Sequence, residues 1–141
     1  MKKIGLLLLM GLMMAAMPVT ETTDHKLNIE IRNINKAKGK ILLAIYSDKE
    51  HYLDSEYAIA AEGVVTKTGS LTITVKIPFG EYAIGAFHDI NDNGELDTNG
   101  LGIPNEPYGF SHGKKGTFGP PSFNAAKFEF SQDGQVHGIN L

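Results

Sequence analysis

The densest chemistry in this chain lies in nine consecutive residues, Asp89-Ile90-Asn91-Asp92-Asn93-Gly94-Glu95-Leu96-Asp97. Side-chain oxygens recur at alternate positions, a glycine follows, and a further carboxylate closes the run. A hard cation such as Ca²⁺ collects roughly six to eight oxygens at short range, and alternate residues of a tight turn aim theirs at one centre. Gly94 allows the sharp bend that this requires. Asp89, Asn91, Asn93 and Asp97 then offer side-chain oxygens, and Glu95 its backbone carbonyl. The helix-loop-helix calcium motif ends on a bidentate glutamate, and the matching position here is Gly100. Glu106 is the carboxylate best placed to replace it. Two neutral Asn ligands lower the charge of the site, which suits the modest affinity needed at extracellular calcium levels. The competing reading needs no ion: Asp89, Asn91 and Asn93 accept hydrogen bonds from nearby backbone N–H groups in a network of Asx-turns.

Histidines flank this stretch. His88 and His112, taken with Asp89, offer a transition-metal site or an acid–base pair, although their spacing matches no zinc motif. A histidine at a strand end is more often packed and hydrogen-bonded. His25, His51 and His137 form no constellation. Ser111 beside His112 is not a nucleophile arrangement, because adjacent residues rarely face each other and no G-x-S-x-G elbow is present. His88, Tyr108, Phe110 and His112 are the residues expected to line a ligand groove, with Phe118 a further aromatic. Aromatics in a long loop otherwise cap the open end of a core. Lys114 and Lys115 read as a solvated loop tip.

The elements that must position these residues are strands. Leu27, Ile29 and Ile31 alternate with polar residues, as do Leu71, Ile73, Val75 and Ile77, the period of two of a half-buried strand. Ile41 to Tyr46 and Glu81 to His88 are apolar in both phases, as central strands are. Ala126, Phe128 and Phe130 alternate with Lys127 and Glu129, Asp133-Gly134 signals a hairpin turn, and Val136 to Leu141 reads as a last strand. Pro78-Phe79-Gly80 turns the chain between two strands. Asp48 to Ala61 is poorly legible; Tyr52, Leu53 and Tyr57 suit a helical turn or a packed loop. About seven strands and no sustained helical period predict an all-β fold, an antiparallel β-sandwich. Between His88 and Ala125 no regular pattern exists. Connections beyond about 12–15 residues are functional or disordered, and the apolar residues of this one argue for one long ordered loop.

The N-terminus, Met1-Lys2-Lys3 followed by apolar Ile4 to Met17 and the small residues Ala15 and Ala16, has the three parts of a secretory leader. We expect residues 1–20 to be that signal peptide and residues 26–141 to be the sandwich domain. The apolar run falls short of the roughly 20 residues that span a bilayer, so no membrane span is expected after leader removal. The destination is then the periplasm, the medium or the cell surface. The chain has no cysteine, which rules out disulfides in that compartment and a lipid-anchored cysteine. A formal charge of −3, moving to −5 when Lys2 and Lys3 leave with the leader, and the lack of a basic stripe argue against nucleic acid.

Two blocks carry a family resemblance. His88-Asp89-x-Asn91-x-Asn93-Gly94-x-Leu96-Asp97 runs on into Leu101-Gly102-Ile103-Pro104-x-Glu106-x-Tyr108-Gly109-Phe110-Ser111 and Gly119-Pro120-Pro121-Ser122-Phe123. Ahead of it stands Pro78-x-Gly80-Glu81-Tyr82-Ala83. Together they resemble an exported bacterial family catalogued as a domain of unknown function, DUF2141, over about Leu27 to Leu141. The resemblance implies a transthyretin-like or prealbumin-like β-sandwich and export, often in Gram-negative bacteria. It implies no activity. Transthyretin-like hydrolases acting on ureides carry a C-terminal Tyr-Arg-Gly-Ser stretch, and this chain ends Val136-His137-Gly138-Ile139-Asn140-Leu141; their chemistry does not transfer.

Three functional expectations follow. The first is an exported, non-enzymatic binding or interaction module, its partner a protein, a glycan or a small molecule, with Ca²⁺ ordering the loop. The second is a small metal-dependent hydrolase built on His88, Asp89 and His112. The third is a metal-free structural protein of the envelope.

Overall fold

A computed structural model describes residues 22–112 and 119–141. Alternation of apolar and polar side chains becomes strand wherever it is sustained. Strands β1 (His25–Ile34) and β2 (Lys40–Tyr46) come first, followed by β3 (Ile59–Val64) and β4 (Gly69–Ile77). Then come β5 (Gly80–Asp89), β6 (Tyr108–Phe110), the one-turn helix α1 (Phe123–Ala126), β7 (Phe128–Phe130) and β8 (Gln135–Asn140). One sheet has the order β4-β1-β8, the other β3-β2-β5-β6, with β7 also pairing with β5. All pairings are antiparallel except β1 with β8. The fold is therefore the expected all-β sandwich, with one parallel pair.

The inward residues of both sheets close on a single core. Leu27, Ile29 and Ile31 of β1 meet Ile41, Leu43 and Ile45 of β2, Ile84 and Ala86 of β5, and Ile139 of β8. Burying each such aliphatic side chain contributes about 1.5–3 kcal/mol. This is why the period-two pattern fixes the register: a one-residue slip turns every core residue to water.

Four features differ from the sequence reading. Residues 59–64 form an edge strand with almost no apolar alternation, formed through its ladder with β2. The long loop contains β6, whose three residues pair with Gly85 to Phe87. Ala126 closes a short helix, capped when the Ser122 side chain accepts from Ala125 N–H, and the strand begins only at Phe128. Asp133-Gly134 is not a hairpin turn either: β7 pairs with β5 and β8 with β1, so the turn carries the chain from one sheet to the other. There Asp133 Oδ1 accepts from Lys26 N–H at 2.7 Å, and Gly134 N–H donates to Lys26 O. Among the described residues no helix is long and apolar enough to cross a membrane. The expected leader, Lys114-Lys115 and Phe118 lie outside the described residues.

Candidate functional site

The pleat gives β2 and β5 a second, outward face. On it, Tyr46 and Ala83 pack with Phe123 and Ala126 of α1 and with Tyr52. Tyr46 and Phe123 both meet the Tyr52 ring edge-on. Burial pushes the Tyr52 hydroxyl up to about 12. Burial also raises the Tyr46 hydroxyl, and the charge of Asp54 raises it further.

Further along the same face none of the described residues covers the sheet. Leu42, Ala44, Gly85 and Phe87 form the floor of a cleft of about 260 Å³, with Leu53, Leu96, Tyr108 and Phe110 around it. A second hollow of about 300 Å³ shares Leu53, Leu96, Tyr108 and Phe110 and reaches Gly102, Pro104, Gly119 and Pro120. Among the described residues neither has a charged residue in its lining. The outward phase of two central strands is thus apolar because it floors a cleft. This was the signal that strands apolar in both phases carried in the sequence.

The loop from Ile90 to Pro107 supplies Leu96, Gly102 and Pro104, and it holds its own shape. Asp89, 1% exposed, accepts from Asn93 N–H at Oδ1 (3.1 Å) and from Gly94 N–H at Oδ2 (2.8 Å). Asp92 and Gly94 both adopt positive φ, 58° and 80°, which an aspartate tolerates and a glycine adopts without strain. Glu106, 7% exposed, reaches back across the loop: Oε1 accepts from Ile90 N–H (2.8 Å) and Oε2 from Asp97 N–H (3.1 Å). Inside that frame Asn105 N–H donates to Asp97 O, and Asn99 Oδ1 accepts from both Leu101 and Ile103 N–H. At the base, His88 N–H donates to Pro107 O.

The sequence-predicted ligands divide into two sets. The carboxylates of Asp89 and Glu106 serve backbone amides. Asn91 Nδ2 and Asn93 Nδ2 converge on Asp97, donating to Oδ2 at 2.5 Å and Oδ1 at 2.8 Å. Glu95 is exposed and donates its backbone N–H to Asn93 Oδ1. Among the described residues, no group of three His, Asp or Glu side chains is disposed to hold a metal ion. A cation here would rest on the trio Asn91, Asn93 and Asp97, with both amides turned to present oxygen.

The expected groove is only half assembled from its predicted members. Tyr108 and Phe110 line the cleft. His88 points into the core side of the sheet, fully buried, with Nε2–H donating to Lys38 O at 2.7 Å; its Nδ1 has no partner among the described residues. His112 is at the other end of β6, donating from Nε2 to Lys127 O at 2.7 Å, in a region outside the cleft. The structure therefore does not bring His88, Asp89 and His112 together. Ser111 is a structural link: its Oγ accepts from Ile84 N–H at 3.0 Å and donates to Ala126 O.

A β-sandwich with an apolar cleft on one outer sheet face, walled by a self-braced loop, is the class that fold and site define. Within that class the chain belongs to the family described as an uncharacterized protein conserved in bacteria (DUF2141), matching it over residues 29–137. No curated protein and no solved structure matches the chain.

Proposed function

We propose that this protein is an exported, non-enzymatic binding module that receives a small apolar group in the cleft over β2 and β5. One observation carries the reading: Leu42, Phe87, Leu96, Tyr108 and Phe110 leave an apolar hollow open to water, beside a loop whose wall is fixed by buried carboxylates. Exposed apolar concavities mark binding sites, and preformed walls lower the ordering cost of binding. The leader-like N-terminus supports export to the periplasm or cell surface; N-terminal sequencing of the protein recovered outside the cytoplasm tests it by starting beyond Ala16. The binding test uses the neutral fluorophore N-phenyl-1-naphthylamine. Its emission rises with the wild-type protein and stays flat with Gly85→Val. An added Cβ at Gly85 meets only Phe110, at 3.5 Å, so this variant fills the cleft floor and keeps the strand. Equal emission from both proteins overturns the reading.

Convergence of Asn91 and Asn93 on Asp97 favours a second reading, Ca²⁺ binding by the loop. Rotating each amide about its last torsion exchanges nitrogen for oxygen at little steric cost but gives up the bonds that Asn91 Oδ1 and Asn93 Oδ1 accept from Asn93 and Glu95 N–H. A cation between the three groups would replace the two amide hydrogens and must outweigh that loss. Asp89 and Glu106 would then shape the turn around the ion. A folded-state ligand stabilises by RT ln(1 + [L]/Kd), so calcium raises the melting temperature, chelator lowers it, and Asp97→Asn abolishes the difference. Absence of any heat or melting shift at millimolar calcium removes this reading.

A further inference from the structure

Among the described residues the cleft has no charged residue in its lining, yet two of the segments that border it are acidic. Residues 47–57, which supply Leu53, hold Asp48, Glu50, Asp54 and Glu56 against Lys49 alone. Residues 90–107, which supply Leu96, hold Asp92, Glu95, Asp97 and Glu106 with no lysine or arginine. Asp54 adjoins Leu53 in the chain, and Glu95 and Asp97 adjoin Leu96, so three carboxylate residues directly neighbour residues that line the hollow, while the net charge of the whole chain is only −3. The nearby cation Lys40 is already held by Glu62 at 3.4 Å and Asp92 at 3.5 Å. Tyr46, a residue of the lining, has its hydroxyl raised by burial and then by the charge of Asp54.

We propose that the occupant of the cleft is a small organic ammonium: an apolar body on the Leu42–Phe87 floor, with its cationic head toward the acidic rim. This rests on the cleft being a binding site and names the ligand class it selects. Acidic loops around low-dielectric walls focus a negative potential on the hollow and raise the local concentration of cations. Phe87, Tyr108 and Phe110 in the lining add the attraction of aromatic rings for quaternary or primary ammonium groups. Size limits the ligand further. About 260 Å³ falls just below the roughly 300–1,000 Å³ of ligand pockets, so the group that enters is compact.

Three probes of one shape separate the possibilities: benzyltrimethylammonium, its neutral carbon isostere neopentylbenzene, and the anion phenylmethanesulfonate. Each is titrated into the full mature protein while the Leu42 and Leu96 methyl signals are followed by NMR. The cation is expected to bind at least about tenfold tighter than the anion at low salt, the gap narrowing in 0.5 M salt as screening shortens the reach of the rim. Asp54→Asn with Glu95→Gln is expected to weaken the cation more than the neutral probe. If the neutral probe binds and the cation has no advantage over the anion, the ammonium assignment is overturned while the cleft stands. If none of the three moves those methyl signals, both fall. If the signals change with protein concentration alone, the occupant is a second copy of the chain, and the assignment is overturned in that way.

Discussion

Glu106→Gln is the substitution that weighs most on the loop. The side chain is buried, and each of its two oxygens accepts one backbone N–H, from Ile90 and from Asp97. Hydrogen bonds to a charged acceptor contribute about 1.5–3 kcal/mol each. Glutamine keeps one carbonyl oxygen and turns an NH₂ toward the other N–H, so one bond is lost and two donors face each other without an acceptor. The expected cost is about 2–4 kcal/mol, a large share of the roughly 5–15 kcal/mol that holds a domain together. It falls on the loop first, because the sandwich core does not depend on residues 90–107. Two measurements read it. Urea unfolding gives the global loss, and amide hydrogen exchange gives the local one. At one decade per 1.4 kcal/mol, exchange at Ile90 and Asp97 should accelerate about 30- to 1,000-fold. Exchange unchanged at both amides, with a stability loss below about 0.5 kcal/mol, would refute the claim that this carboxylate braces the loop.

Other substitutions test neighbouring links. Gly39→Ala is expected to destabilise by more than the roughly 1–3 kcal/mol of a strained backbone residue, since φ is +72° and the new Cβ would strike the Asp89 carbonyl; a urea midpoint within error of wild type contradicts this. Ser111→Ala leaves Ile84 N–H without its side-chain partner in a buried position and should cost about 1–3 kcal/mol, read by thermal unfolding. His137 gives a pH signature. Burial, aided by the charges of His112 and Arg32, holds its imidazole below the ordinary range, against a raising bond to Ser111 O. The unfolded chain therefore takes up the proton first. Its contribution is complete above the ordinary histidine value of about 6.5 and is lost as pH falls through the lower folded value. His137→Gln should flatten that slope in urea midpoints measured from pH 8 to 5, and an unaltered slope argues against it.

How much of this was written in the sequence depends on what fixes each element. β1 and β4 were legible because one face is buried and the other wet, so burial imprints a period of two. β3 was not, since Ala60, Glu62 and Val64 are exposed and its pairing with β2 comes from backbone hydrogen bonds that leave no side-chain pattern. β6 was hidden for a related reason: three residues are too few to show a period. The oxygen-rich turn was legible as a cluster, and its position beside the open face of β2 and β5 was not. That Asp89 and Glu106 accept from backbone amides was open in the sequence, because it depends on loop geometry rather than residue type. The groove was half legible. Tyr108 and Phe110 belong to it, while Leu42, Leu53, Phe87 and Leu96 were missed because they come from four separate segments that only tertiary packing assembles. The doubly apolar phase of β2 and β5 held that information beside the central place in the sheet that it correctly indicates.

The central claim, that the open hollow over β2 and β5 takes an apolar group against a braced loop, is tested most directly by adding toluene to protein labelled at its Leu, Ile and Val methyls. Shifts should appear at Leu42, Leu53 and Leu96, stay absent from Leu71, Val75 and Val136 of the opposite sheet, and shrink at Leu96 in the Glu106→Gln protein. Movement confined to Val64, Leu101 or Val136, or no movement at saturating toluene, would contradict it.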